Sequence, residues 1–209
     1  MNEDPRNSLK RFKVWGFFLL VIAGLGIWLS ISLLPTASKL PIIGVVPDWT
    51  LLNQVSQPFG SKDLAGRVYI ANFVFTRCPS VCPKMMDQMA KLTHQFADPD
   101  TKVYFVSFTV DPEHDTPQVL KKYAFERGIN AREWSLLTSE SKESLFKLYS
   151  EGFKIGVSQG APVADLFDIA HSEKMVLVDQ QNRIRGFYGH DNDGLAQIAH
   201  DARVLEENP

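Results

Sequence analysis

Only two cysteines occur in the 209 residues, Cys78 and Cys82, and they stand four positions apart. A disulfide closing so short a loop constrains the unfolded chain very little, so an inert staple is a poor account of the pair. Basic charge is not in surplus: 22 Lys and Arg face 24 Asp and Glu, a formal net charge of −2. Residues 1–39 hold five basic and two acidic side chains, which leaves 17 and 22 beyond them, a net −5. No basic patch suggests nucleic acid as a partner. A nucleotide loop, a serine triad and a paired-carboxylate signature are also missing, as are internal repeats and low-complexity tracts. Thiol–disulfide oxidoreduction is the enzyme class these absences leave.

What is present begins with 21 uncharged residues, Val14–Leu34. As a helix they would span about 31 Å, close to the hydrocarbon thickness of a bilayer. Arg6, Lys10, Arg11 and Lys13 precede the run and only Lys39 follows closely, which predicts a cytoplasmic N-terminus. The apolar run is too long for a cleaved signal peptide, and Thr36-Ala37-Ser38 is a poor cleavage site. Glu3 and Asp4 argue against a mitochondrial transit peptide. The expected organisation is a tail 1–13, a transmembrane anchor 14–34, a proline-containing tether 35–46 and a soluble domain 47–209 outside the cytoplasm.

Within that domain Trp49–Leu52 reads as a short strand, and Val68–Phe75 and Val103–Val110 as strands apolar enough to be covered on both faces. Met85, Met86, Met89, Leu92 and Phe96 recur at helical spacing after the cysteines. Pro83 suits the first helical position, which puts Cys82 near the N-cap. Thr116 caps a second helix with Pro117 in its first turn, and that helix stops at Gly128. A strand at Trp134–Leu137 and an amphipathic helix over Glu140–Ser150 follow, then a weak strand at Lys154–Val157 and a loop over Gln159–Ala170. Met175–Val178 and Arg183–Tyr188 form a hairpin, and a last helix covers about Asp193–Glu207. This order predicts an α/β sandwich of thioredoxin type with a central mixed sheet, preceded by the transmembrane helix.

The chemistry centres on Phe75-Thr76-Arg77-Cys78-Pro79-Ser80-Val81-Cys82-Pro83. A strand that delivers cysteines to a helix N-terminus sets them in the positive end of the helix dipole, which favours thiolate over thiol. His171 just precedes the hairpin strand, and in a thioredoxin-type sheet the loop before that strand lies beside the cysteine loop. Two sulfurs and one imidazole with an open edge suit copper(I), and the imidazole also supports copper(II) or zinc. Thiol–disulfide exchange without metal is the competing reading, and a membrane-tethered sensor of copper or redox state acting through a partner is a third. Against exchange stand the Cys-x-x-x-Cys spacing and the lack of a proline between Asp165 and Val178. Met85, Met86 and Met89 read as core rather than as soft ligands. Asp111 and Asp115 read as shaping and capping their loop rather than meeting a partner. His94, His190 and His200 read as surface residues.

Three ordered motifs carry a resemblance: Phe75–Pro83, Val110-Asp111-Pro112-Glu113-His114-Asp115-Thr116-Pro117, and His171-Ser172 followed by Val176–Asp179. Over roughly Pro47–Tyr188, and in its anchor topology, the chain resembles the Sco/SenC family. These are membrane-anchored, thioredoxin-fold copper proteins that help build the binuclear copper centre of cytochrome c oxidase. The resemblance implies Cys78, Cys82 and His171 as ligands of a copper ion. It implies the copper-bearing oxidase subunit as partner, with other copper carriers or thiol reductants. It also implies a bacterial inner membrane with the domain on the periplasmic side. Ser80, His114 and Ala170 depart from the family, which often has Asp, Arg and Asp there.

Overall fold

The computed structural model describes residues 15, 22–26, 40–98, 100–155 and 173–208. The chain divides into two units, Met1–Ala37 and Ser38–Pro209. In the first, Trp15 and residues 22–26 are helical, and the rest of the predicted anchor 14–34 lies outside the described residues. Among the described residues no helix is long and apolar enough to cross a membrane.

The second unit is built on one mixed sheet. Its strands are β1 (Gly44–Val45), β2 (Thr50–Asn53), β3 (Pro58–Gly60), β4 (Val68–Val74), β5 (Val103–Thr109), β6 (Trp134–Thr138), β7 (Met175–Val178) and β8 (Arg183–Tyr188), in the order β1-β8-β7-β4-β5-β6-β2-β3. The helices are α1 (Val81–Gln95), α2 (Pro117–Glu126), α3 (Lys142–Lys147), which continues as a π-helical turn over Leu148–Gly152, and α4 (Asn192–Glu207). The thioredoxin-like reading holds.

The two apolar runs are the central parallel pair, β4 against β5, and every residue of both is buried. Their alternating side chains feed two cores. Tyr69, Ala71, Phe73, Val106 and Phe108 join Trp49, Tyr149 and Phe153 on one face. Val68, Ile70 and Phe105 join Met86, Met89 and Leu92 of α1 and Ile198 and Leu205 of α4 on the other. Burial on both faces removes the usual apolar–polar alternation, and the sequence shows the same near-continuous runs. The first core is aromatic: Phe73 stacks on Phe108 at 5.4 Å, and Tyr149 meets Phe73 edge-on at 4.9 Å. Tyr149 donates to the Thr109 carbonyl at 3.1 Å, so its buried hydroxyl is satisfied.

Two expectations need correcting, and two elements are additional. The tether was expected to run to residue 46, yet β1 pairs with β8, Gly44 opposite Ile184, and Val46 is buried. The cause is a buried Arg185, which donates to the Pro41 carbonyl at 3.1 Å and the Leu40 carbonyl at 2.5 Å. Arg185 is itself charge-paired with the fully buried Asp179 at 2.7 Å. The weak strand at Lys154–Val157 is not formed where it is described: Lys154 has φ of +58°, a left-handed turn. β3 and the 3₁₀ turn Ser61–Leu64 carry no strong periodicity and were not anticipated.

Candidate metal centre

Because β4 and β5 are parallel, the loops that follow them leave the same end of the sheet, where open α/β sheets hold their ligands. After β4 come Phe75 to Ser80 and then α1. After β5 comes Asp111 to Thr116. β7 runs antiparallel to β4, so it starts at this same end, with Ala71 opposite Val176 and Tyr69 opposite Val178.

Both cysteines are free thiols and buried, Cys78 at 8% exposure and Cys82 at 1%. α1 begins at Val81 with Ser80 as N-cap, so Cys82 is its second residue and Pro83 its third. That is two residues earlier than the sequence suggested. A proline is tolerated there because every N–H in the first turn lacks an intrahelical partner. The Ser80 side chain caps nothing. Instead the Cys82 N–H donates to Cys78 Sγ at 3.5 Å, so a sulfur takes the acceptor's place at the helix start. Ser80 Oγ lies 3.9 Å from the same sulfur.

This asymmetry separates the two thiols. Burial pushes Cys78 up, but hydrogen bonds from the Cys82 and Ser80 backbone, assisted by their side chains, outweigh it and hold it down at about 7. Burial pushes Cys82 up to about 12, and the neighbouring Cys78 and Asp115 add to the rise. The thiolate-favouring setting expected for the pair is found at Cys78 and not at Cys82.

The second loop fixes the first. Asp115 is fully buried and accepts from Thr76 N at 3.1 Å, from Thr76 Oγ1 at 2.5 Å and from Thr109 Oγ1. Asp111 accepts from Arg77 Nη2 at 2.7 Å and lies 2.9 Å from His114 Nδ1. Burial acts against its charge, but the His114 and Arg77 bonds hold its carboxyl below the usual value. Arg77 Nη2 also lies 3.0 Å from His114 Nδ1. That nitrogen cannot accept from Arg77 and donate to Asp111 at once, so its tautomer selects the partner. Both aspartates therefore shape the loops, as expected. Thr76 and Thr109 were not singled out, and threonines near loop ends give no signal of their own.

Met85, Met86 and Met89 are core: each is at most 1% exposed, and Met86 Sδ faces Asn72 Nδ2 at 3.8 Å and Ser107 Oγ at 3.7 Å. His94 and His200 are exposed. His190 is half-buried and has a partner the sequence did not suggest, Glu173 at 3.6 Å. His171, the third predicted ligand, lies outside the described residues. Among the described residues no three His, Cys, Asp or Glu side chains converge as a metal site. The two thiols fit a soft metal ion and leave its coordination incomplete.

The family model described as SCO1/SenC matches residues 42–206. A Stutzerimonas stutzeri protein named "Putative copper-binding protein" is 30% identical over 150 residues, covering 70% of each chain. The crystal structure of a SCO1/SenC family lipoprotein from Bacillus anthracis is similar at TM-score 0.68 and 30% identity, over 81% of this chain and 99% of that one. BsSco, a member of the Sco family of cytochrome c oxidase assembly proteins in which a disulfide switch was identified, is similar at TM-score 0.66 and 25% identity, over 79% and 95%.

Proposed function

The chain belongs to the SCO1/SenC family, and from that premise we propose that it is a copper-binding assembly protein for cytochrome c oxidase, with Cys78, Cys82 and His171 as copper ligands. The observation that carries this reading is the sulfur pair at the start of α1, with the Cys82 N–H on Cys78 Sγ. Thiolates select soft copper(I), and the hydrogen bonds to Cys78 Sγ lower its value to about 7, which favours its thiolate without any metal. The Stutzerimonas relative's name supports copper, and BsSco's family supports the oxidase. The start of β7 at the cysteine end of the sheet supports His171, which precedes Met175 by four positions in the sequence.

The copper-bearing oxidase subunit is the proposed client, receiving copper or having its own cysteines reduced. The anchor 14–34 holds the domain at the extracytoplasmic face of a bacterial inner membrane, with the tail 1–13 inside. The lipoprotein relative supports a membrane-held reading.

One observation favours a second reading, disulfide exchange without metal. Thiols held at about 7 and about 12 suit an attacking and a resolving cysteine. In that reading Cys78 thiolate attacks a client disulfide, one client thiolate leaves, and Cys82 gives up its proton to displace the other. The client gains two electrons and this chain ends as the disulfide.

Anaerobic loading of the reduced full chain with copper(I) separates the two. About one copper per chain, lost in Cys78→Ser and Cys82→Ser, is expected. Cells carrying either variant should assemble less oxidase. Full client reduction by a chain that binds no copper would replace the first reading with the second.

A further inference from the structure

At the far end of the strand order from β3, β1 forms an edge whose side chains the metal centre does not use. Ile43 N donates to the Ile184 carbonyl and Val46 N to the Asn182 carbonyl, both at 2.9 Å, which fastens this segment to the sheet. Ile42, Ile43 and Val45 are nonetheless 57%, 47% and 61% exposed. Ile42 and Ile43 lead into this edge strand, Ile43 and Val45 share a face by alternation, and exposed β-branched residues at a sheet edge are an association surface. Lys154, exposed in its left-handed turn, lies against Gly44, on the face of the segment opposite Ile43 and Val45. A Cβ on Gly44 would stand 3.9 Å from both Cγ and Cε of Lys154, so its aliphatic stem runs along the strand.

The length of chain leading here selects the occupant. Arg185 holds the Leu40 and Pro41 carbonyls, so the chain is fixed to the domain from Leu40 onward. Residues 35–39 alone separate Leu40 from the apolar run 14–34, and five residues reach at most about 18 Å. We propose that the Ile42–Val45 edge rests in the headgroup region of the bilayer that holds the anchor. The inference depends on the anchor reading above. A short leash keeps the edge near lipid, and burial of its side chains removes an exposed strand edge from water.

The test uses the full chain with Cys78→Ser and Cys82→Ser, so that one introduced cysteine carries a nitroxide label. Ile43→Cys and Val45→Cys probe the edge, and Phe125→Cys, at an 86% exposed site on α2, serves as the control. The proteins are reconstituted into vesicles of phosphatidylethanolamine and phosphatidylglycerol, and flotation reads anchoring separately from docking. With the chain floating, labels at 43 and 45 should meet dissolved oxygen severalfold more readily, relative to a water-soluble nickel complex, than the label at 125. Equal ratios at all three sites in a floating chain overturn the docking and leave the anchor standing. Strong spin–spin broadening between labels at 43 overturns it in favour of edge pairing between two copies. A chain that does not float overturns the anchor reading and this inference with it.

Discussion

At the scale of single residues, a sulfur takes the place of a helix cap, Cys78 Sγ accepting from the Cys82 N–H. Cys78 should react with iodoacetamide half-maximally near pH 7, where an ordinary cysteine does so near 9, and Cys82 should stay unmodified until the protein unfolds. Mass mapping of the alkylated peptides across pH checks this, and equal labelling of both thiols would contradict it. Asp115→Ala strands the part-buried Thr76 N–H and hydroxyl and the buried Thr109 hydroxyl, so it should cost about 2–4 kcal/mol in urea unfolding. The cysteines were legible because their type, spacing and flanking strand and helix all pointed one way. The split between them was not, since it depends on which sulfur receives the Cys82 N–H, and that follows from where α1 starts.

At the scale of elements, the strongly periodic segments declared themselves, and the weakly periodic ones did not. β1 exists because Arg185 binds the carbonyls of Leu40 and Pro41, a contact across more than 140 positions that no local pattern announces. Asp179 sits under this arrangement, accepting from Arg185 Nη1 and from Arg183 Nε, both at 2.7 Å. Burial pushes its carboxyl up, and the bonds from Arg185 and Arg183 outweigh that and hold it below its ordinary value. A lowered folded value means the stabilisation is complete above the unfolded carboxylate range and is lost as pH falls through the folded one. Stability should therefore decline on acidification below about pH 4, and Asp179→Ala should flatten that decline. The same variant leaves a buried guanidinium without its carboxylate and should cost about 3–5 kcal/mol at neutral pH. Thermal unfolding of both proteins across pH tests the two statements together.

At the scale of the whole molecule, one end of the sheet gathers the cysteine loop, the aspartate loop and the start of β7. Sequence order alone could suggest that convergence, because a thioredoxin-type sheet fixes which loops are neighbours. Copper(I) and a disulfide compete for the same sulfurs. Oxidation of the pair, which gives up two electrons and two protons to an added disulfide oxidant, should abolish copper(I) loading until a reductant reopens it. Thiol titration alongside metal analysis checks this gate, and equal loading of fully oxidised protein would contradict it.

The most direct measurement of the central claim compares the wild-type chain with His171→Ala after loading with copper(I) and then copper(II). His171→Ala should still cycle its disulfide, since exchange needs only sulfur, and two thiolates should retain copper(I) more weakly. Copper(II) should be held poorly, and the nitrogen contribution to its spin resonance spectrum should fall. Equal content, affinity and spectrum in both proteins would remove His171 from the site and leave thiol exchange as the function of the pair.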